Sequence, residues 1–418
     1  MSELNERNDT AGRRVMARID ALADFSSEPV ALTRLYLTPE HKAAASAVAA
    51  WMTEAGILAS VDAVGNVVGR VQATRPGAKT LILGSHIDTI RNAGRYDGNL
   101  GVVVAIEAMS ALMRRGEKLP FAVEIIAFGD EEGVRFPQTL TGSRAVAGIF
   151  DPSALDGRDQ AGVTMRDALR RFGGDPARIA ALARRPAEMF GYLEVHIEQG
   201  PVLEHEGLPV GVVTAIAGAS RVQVDVTGVA GHAGTVPMNL RRDALVAAAE
   251  MVGMVEALAL DDPEIVATVG RVEVKPGAVN VIPSAVSFTI DLRSPSDAAR
   301  LAALARLQSA LEACAARRDV GLTFTPFYEA AAAPCAPELQ ATLARAVERQ
   351  GLRVLHLPSG AGHDGLAMVK LCPIGMLFVR CAGGISHNPA ESITAADADV
   401  AVEVLIDALR DLATGVAA

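Results

Sequence analysis

Histidine and acidic residues that could bind metal lie close together in one part of the sequence. His86, Asp97 and the acidic run 130–132 each lie near the end of an apolar segment. Imidazole and carboxylate are ligand types that divalent metals such as zinc bind in proteins. The adjacent Glu131 and Glu132 could divide the work, one binding metal while the other moves protons. This stretch therefore predicts a metal-dependent hydrolase.

Each of these residues also has an ordinary structural interpretation. Asp97 precedes an expected helix and could be its N-cap. The run 130–132 could be a solvated charge cluster, although three carboxylates after an apolar strand would raise one another's pKa values unless metal relieved the repulsion. Asp88 shares a face with His86 in an extended segment, so its carboxylate could accept the second ring N–H of His86 and fix the tautomer. The alternative is a local turn capped by Ser85 and Asp88.

Two further histidines add to the ligand set. His196 lies in an alternating, strand-like segment, on the same face as Glu194 and Glu198. His387 lies in the glycine-rich loop 383–391, which follows another expected strand. The candidate metal ligands are therefore His86, Asp97, Glu132, His196 and His387.

The elements around these residues predict an α/β domain. The sequence predicts strands at 67–71, 80–83 and 121–128 and a helix at 101–114. The order strand, helix, strand and the buried-strand composition favour a mostly parallel sheet. Such sheets place their ligand sites at the carboxyl ends of the strands. Further helices are expected at 12–23, 40–55, 338–350 and 395–413, and further strands at 353–357 and 374–379.

The middle of the chain follows a different pattern. Its elements have the order β-α-β-β-α-β, which is the ferredoxin-like plan. The expected strands are 221–227, 265–274, 285–293 and 321–327, and the expected helices are 241–260 and 298–317. We therefore predict an inserted α+β domain at residues 218–330, within a catalytic domain formed by residues 1–217 and 331–418.

Composition restricts the class of function. The chain has 418 residues, of which 50% are hydrophobic, so two domains with large cores are expected. Its formal net charge of −10 disfavours nucleic acid as a partner, and its apolar runs are too short to span a bilayer. Residues 1–9 do not have the apolar region of a signal peptide, and the four cysteines lack zinc-ribbon or redox spacing. We expect a cytoplasmic enzyme that binds neither nucleic acid nor membrane.

The motifs around these residues resemble the amidohydrolase branch of the M20 metallopeptidase family. This branch includes allantoate amidohydrolases, N-carbamoyl-L-amino-acid hydrolases and β-ureidopropionases. The resemblance extends from about residue 30 to residue 412, and its matching segments are 84–89, 96–98, 130–136, 196–204, 231–238 and 384–387. It implies a catalytic domain with a mixed, mostly parallel sheet, like that of metallo-exopeptidases. It also implies that the inserted ferredoxin-like domain is a lid that forms a homodimer.

The resemblance implies a role for each metal ligand. His86 and His196 would bind one divalent metal, Glu132 and His387 the other, and Asp97 would bridge them. Two ions per subunit are implied, with zinc expected first and manganese or cobalt as alternatives, since imidazole and carboxylate suit all three. A histidine at position 196, where peptidase members have a carboxylate, favours the carbamoyl-cleaving branch.

The resemblance also implies residues that act on the substrate. Glu131 would be the general base and then the acid, and His232 would polarise the scissile carbonyl, reaching in from a partner subunit. The positions matching substrate-binding residues are Gln199, His232, Asn280, Arg293 and His363. Arg293 suits a substrate carboxylate because a guanidinium offers two parallel hydrogen bonds. Alternatively, His232 and Asn280 could be turn residues, Arg293 could simply pair with Asp291, and the histidine at 363 could support the metal ligands.

We therefore expect a metal-dependent amidohydrolase that cleaves the ureido C–N bond of a small carboxylate substrate, most closely allantoate. An N-carbamoyl-L-amino acid or 3-ureidopropionate is the alternative substrate. A dipeptidase or aminoacylase would use the same metals and is disfavoured by His196. A non-catalytic binding module is disfavoured because neither a ligand nor the base is missing. A homodimer is expected through the lid, whose exposed sheet edge invites pairing.

Overall fold

The computed structural model of the chain describes residues 10–417, with side chains up to residue 415. Residues 1–9, on which the signal-peptide expectation rests, lie outside this range. Within it, none of the helices combines the length and the hydropathy that crossing a bilayer requires.

The helices and strands of this range are numbered here in chain order. The helices are α1 (Ala11–Ala23), α2 (Pro39–Glu54), α3 (Asn99–Arg114), α4 (Thr141–Val146), α5 (Met165–Phe172), α6 (Val202–His205), α7 (Ala244–Asp261), α8 (Asp297–Arg317), α9 (Pro337–Arg349), α10 (Gly365–Met368) and α11 (Ala395–Ala417). The strands are β1 (Leu58–Val61), β2 (Val67–Val71), β3 (Thr80–His86), β4 (Ala122–Phe128), β5 (Met189–Ile197), β6 (Val210–Ile216), β7 (Gly218–Thr227), β8 (Gly231–His232), β9 (Val266–Lys275), β10 (Val281–Ile282), β11 (Ala285–Ser294), β12 (Gly321–Ala330), β13 (Ala333–Pro334), β14 (His356–Ser359) and β15 (Ile374–Val379).

The chain divides into two compact units. Among the described residues, the first comprises 10–214, Pro334–Leu357 and 361–417, and the second comprises Ala215–Ala333 and Pro358–Gly360. The second unit is therefore an insertion in the first along the sequence.

The first unit is built on a mixed sheet whose central strands are parallel. The strand order is β1-β2-β4-β3-β5-β15-β6, with the short β13 and β14 paired to β6. Strands β4, β3, β5 and β15 are parallel to their neighbours in this series, whereas β2 and β6 flank them in antiparallel orientation. The predicted fold class, an α/β fold with a mostly parallel central sheet, is confirmed. Because parallel strands end at the same edge, β3, β4, β5 and β15 all deliver their carboxyl ends there.

The residue types of these strands explain their position in the sheet. Every residue of β3 and of β4 is buried, as expected for strands covered on both faces. Helix α3 is buried along most of its length and packs against β3 and β5. In the antiparallel edge strand β1, by contrast, Leu58 is 84% exposed, and this strand has no buried periodicity from which it could have been predicted.

The second unit has an antiparallel sheet with strand order β12-β7-β11-β9. Alternate residues of β11 are buried, including Phe288, Ile290 and Leu292, and these contribute to a core with α7 and α8. The element order is β-α-β-β-α-β, with the short β8–β10 pair added. Helix α7 begins at Ala244 rather than at 241, because the Asp243 side chain accepts backbone N–H groups of the first turn.

Candidate metal centre

Three imidazoles surround the carboxylate of Asp97. His86 and His196 approach Oδ1 with their Nε2 atoms at 3.4 and 3.1 Å, and His387 approaches Oδ2 at 3.2 Å. His86 ends β3, His196 lies near the end of β5, and His387 lies in the loop after β15. Three strands of the parallel series therefore bring one imidazole each to the same carboxylate.

Two potential ligand groups share Asp97. One contains His86, Asp97 and His196, and the other contains Asp97, Glu132 and His387; within each group the ligand atoms lie within 4.8 Å of one another. The two oxygens of Asp97 face different groups, which is the arrangement a bridging carboxylate requires. This grouping fits the division of ligands that the family resemblance implies.

The acidic run after β4 is buried rather than solvated. Asp130 is fully buried, and the side chains of Glu131 and Glu132 are only 12% and 8% exposed. Asp130 has a left-handed backbone conformation, with φ of 69°, and its carboxylate accepts a short hydrogen bond from the Thr141 hydroxyl. The surface charge run considered from the sequence is therefore not what these residues form.

The charges of this cluster are suited to a bound cation. Burial, together with neighbouring carboxylates, raises the pKa of Glu131 well above its usual range and that of Glu132 to about 7. Burial also acts to raise the pKa of Asp97, but hydrogen bonds from the three histidines outweigh it and hold that pKa well below its usual range. The buried carboxylates thus need positive charge nearby. Divalent cations would supply it while leaving the imidazoles neutral, as metal ligation requires.

The Asp97 carboxylate is presented by a turn that depends on glycine. The N-cap of α3 is Gly98, with φ of 66° and no side-chain capping bond, so the N-cap role considered for Asp97 is wrong. A Cβ atom on Gly98 would lie 2.5 Å from ring atoms of His86. The backbone N–H of Gly98 also points to Nε2 of His196, at 3.2 Å. Only glycine combines this backbone conformation with so close an approach of the ring.

The predicted contact between Asp88 and His86 uses a different atom. The backbone carbonyl of Asp88 lies 3.0 Å from Nδ1 of His86, whereas the nearest carboxylate oxygen lies 3.9 Å away. The Asp88 carboxylate instead accepts the backbone N–H groups of Glu131 and Glu132, at 3.2 and 3.3 Å. The extended geometry that predicted the side-chain contact ends at His86, which is the last residue of β3. Asp88 therefore orients Glu131 and Glu132. The alternative, a local turn capped by Ser85 and Asp88, is also wrong, because the Ser85 hydroxyl donates to Glu194 at 2.9 Å.

His363 lies next to His196, outside the two groups that share Asp97; it forms a further group with Glu194 and His196, whose ligand atoms lie within 4.8 Å of one another. It is 1% exposed, and its ring packs edge-on against His196, with centroids 4.4 Å apart. Burial and the neighbouring His196 hold the pKa of His363 well below its usual range, so this ring is neutral. The position is that of a supporting residue for His196.

Gln199 contacts the shared carboxylate directly. Its Nε2 atom donates to Oδ2 of Asp97 at 3.0 Å and to the Ser386 hydroxyl at 3.1 Å, and its backbone has φ of 57°. Its predicted substrate role came from sequence resemblance alone, which gave no indication of this contact.

The other predicted substrate residues lie in the second unit. His232 and Asn280 are neighbours there, because the N–H of Ala233 donates to the carbonyl of Asn280 at 3.0 Å, and the His232 side chain is exposed. Arg293 forms two hydrogen bonds with Asp291, at 2.8 and 3.0 Å, as the alternative interpretation expected. Arg293 also borders a cavity of about 560 Å³ in this unit.

The fold places candidate ligands for divalent metals at the carboxyl edge of a parallel sheet, an arrangement that suits a metal-dependent hydrolase. A profile of peptidase family M20/M25/M40 matches residues 82–411. The chain belongs to this family, and the predicted resemblance and the predicted class of enzyme, a hydrolase of carbon–nitrogen bonds, are confirmed.

Similar proteins lie in the carbamoyl-cleaving part of the family. The chain is 41% identical to the N-carbamoyl-L-amino acid amidohydrolase of Geobacillus stearothermophilus over 405 residues, which cover 97% of this chain and 99% of that protein. It is 39% identical to the allantoate deiminase of Arabidopsis thaliana, over 94% of this chain and 81% of that protein. A crystal structure of a hydantoinase/carbamoylase family amidase from Burkholderia multivorans superimposes with a TM-score of 0.91 and 33% identity, covering 97% and 98% of the two chains.

Proposed function

We propose that the chain is a metal-dependent amidohydrolase that cleaves the ureido C–N bond of a small carboxylate substrate, with allantoate as the first candidate. The observation that carries this proposal is the pair of ligand groups that share Asp97, with Glu131 close by. The allantoate deiminase at 39% identity supports the substrate. The N-carbamoyl-L-amino acid amidohydrolase at 41% identity favours a second candidate, hydrolysis of N-carbamoyl-L-amino acids.

Two divalent metals fit the donor set. His86 and His196 would hold one ion, Glu132 and His387 the other, and Asp97 would bind both. Zinc is the first candidate, with manganese and cobalt as alternatives. Bound here, the metals would supply Lewis acidity and a water of lowered pKa.

Glu131 is placed to move the proton. It lies outside both groups that share Asp97, yet its Oε2 atom is 3.9 Å from Nε2 of His86. The backbone N–H of Glu131 donates to Asp88, so the residue is fixed close to the ligands without occupying a shared position. Glu131 takes a proton from the attacking water and returns it to the leaving nitrogen, as a general base and then a general acid.

Residues of the second unit would bind the substrate. Arg293 would pair with the substrate carboxylate through its Nη1–Nη2 edge, in place of the bond that Nη1 donates to the Gly360 carbonyl at 2.7 Å. His232 and Asn280, neighbours on the β8–β10 pair, would contact the scissile ureido group. Donors aimed at the carbonyl oxygen would stabilise the negative charge that develops on it.

We also propose a homodimer through the second unit. Strands β9 and β12 are the ends of its sheet, and each leaves one side unpaired within the described chain. Exposed edges of this kind are templates for pairing with a second copy. Sedimentation equilibrium at micromolar concentration should give twice the mass of one chain, whereas a single-chain mass would contradict the proposal.

A substrate panel tests the function. The purified enzyme, loaded in turn with zinc, manganese and cobalt, is given allantoate, N-carbamoyl-L-amino acids, 3-ureidopropionate and a dipeptide. Allantoate hydrolysis should have the highest kcat/KM and should release ammonia and carbon dioxide together with ureidoglycine or ureidoglycolate. A higher kcat/KM for an N-carbamoyl amino acid, with release of the free amino acid, would establish the second candidate. Cleavage of the dipeptide alone would refute both.

A further inference from the structure

A buried carboxylate outside the ligand set holds the turn that presents Asp97. Glu391 is 3% exposed, and its Oε1 atom accepts the backbone N–H groups of Tyr96 and Asp97, at 2.8 and 3.1 Å. These contacts join chain segments that are 294 and 295 residues apart in sequence. The backbone of the shared metal ligand is therefore fixed by a side chain from the far end of the chain.

The second oxygen of Glu391 reaches the loop that carries His387. Its Oε2 atom accepts the hydroxyl of Ser386 at 2.9 Å, and the Ser386 hydroxyl also lies 3.4 Å from Oδ2 of Asp97. Ser386 directly precedes His387 in sequence. One carboxylate thus connects the Asp97 turn to the loop of a second ligand.

The turn that contains Gly94 packs closely against Glu391. A Cβ atom on Gly94 would lie 2.2 Å from the carboxyl carbon of Glu391 and 2.3 Å from its Oε1 atom. Glycine at this position lets the 94–97 turn lie directly against the carboxylate. Within its own loop, Glu391 is held by the Ser386 hydroxyl and by a backbone bond to the carbonyl of Asn388.

We propose that Glu391 is a positioning residue of the metal centre, which sets the distance between the Asp97 carboxylate and the His387 imidazole. This inference rests on the proposed metal ligands. Glu391 binds no metal itself; it acts through hydrogen bonds to the backbone and to Ser386. Groups that orient metal ligands in this way typically change metal affinity by about 10–100-fold when they are removed.

Titration of the metal-free protein with Zn²⁺, and separately with Co²⁺, tests the proposal. Glu391→Ala should weaken binding of at least one ion by about 10–100-fold and alter the visible spectrum of bound Co²⁺. Glu391→Gln should restore most of the affinity, because its amide oxygen can accept both backbone N–H groups while its NH₂ donates to Ser386. Gly94→Ala should weaken metal binding without changing any polar group, because the added Cβ displaces the Glu391 carboxylate. If Glu391→Ala does not fold, Gly94→Ala and Glu391→Gln still test the proposal.

Glu107→Ala is the control. Glu107 is also a buried glutamate, 1% exposed, but it pairs with Arg14 and Arg114 and contacts no metal ligand. This variant should unfold more easily yet bind metal as the wild type does. Wild-type metal affinity in Glu391→Ala would overturn the proposal. Equal losses of metal affinity in Glu391→Gln and Glu391→Ala would also overturn it, because the charge of Glu391 rather than its hydrogen bonds would then determine the affinity. A wild-type protein that binds no metal would instead refute the proposed function.

Discussion

Replacing Glu131 with Gln should separate proton transfer from metal binding. The substitution keeps the shape of the side chain and the backbone bond to Asp88, at 3.2 Å, while removing the group that takes up a proton. Because Glu131 lies outside both ligand groups that share Asp97, both metals should remain bound. Loss of a general base costs about 10²–10⁴-fold in kcat, which corresponds to about 3–5 kcal/mol of transition-state stabilisation.

The neighbouring glutamate provides a matched control. Glu132→Gln makes the same chemical change one residue away, but Glu132 belongs to the group with Asp97 and His387. We expect Glu132→Gln to lose one metal per subunit and Glu131→Gln to lose none. The assay combines kcat on the best substrate of the panel with metal content by atomic emission, measured on the same preparations.

Two results would refute this reasoning. The ligand atoms of His86, Glu131 and Glu132 also lie within 4.8 Å of one another, so the alternative role of Glu131 is that of a metal ligand. Loss of metal from Glu131→Gln would show that it is a ligand. Retention of wild-type kcat in that variant would show that another group is the base.

Three further perturbations test the metal centre and its support. Removing metal with a chelator should lower the thermal midpoint in calorimetry, since a ligand at 100 times its Kd stabilises the folded state by about 2.7 kcal/mol; an unchanged midpoint would argue against resident metal. Arg34→Met should lower the free energy of unfolding, measured in urea, by about 3 kcal/mol. The fully buried guanidinium of Arg34 donates to Asn99 at 2.6 Å and to three backbone carbonyls, and the substitution removes all of these bonds. A decrease under about 1 kcal/mol would contradict this expectation. Gly98→Ala should weaken Zn²⁺ binding by displacing the His86 ring, whereas Gly77→Ala, at a similar φ of 71° but with open space around its Cβ, should not. Equal zinc affinities in these two variants would refute the close-approach argument.

The sequence was most informative where a ligand follows a buried strand. The strand ending at His86 and the one before Glu131 are continuous apolar runs, and their parallel pairing brings their carboxyl ends together. The convergence of His86 and His196 therefore follows from the parallel pairing of β3 with β5 and needs no knowledge of side-chain contacts. Asp97, in contrast, lies on the turn before α3. The strand Val67–Val71 has the predicted bounds for the same reason, since its apolar pattern reflects its place in the sheet.

Contacts that depend on turns could not be predicted in this way. The Asp88 carboxylate accepts the N–H groups of Glu131 and Glu132, which follow Asp130 with its positive φ, and nothing in the sequence of a polar turn specifies that conformation. Glu391 follows a proline-containing turn and is polar like its surroundings, so its sequence environment does not distinguish a buried anchor from a surface carboxylate. Only the fold shows that it reaches the Asp97 turn, almost three hundred residues away.

The Asp97 turn explains how a short side chain can serve two ligand groups. Glu391 accepts the N–H groups on one side of the turn, and the N–H of Gly98 points to His196 on the other. The side chain of Asn99, the first residue of α3, is held in turn by the buried Arg34. An aspartate has few rotatable bonds, so once its backbone is fixed from several directions its two oxygens are fixed as well. The fold therefore orders the Asp97 carboxylate without bound metal. For this reason we expect substitutions of the residues that hold the Asp97 turn, as well as of the ligands, to change metal affinity.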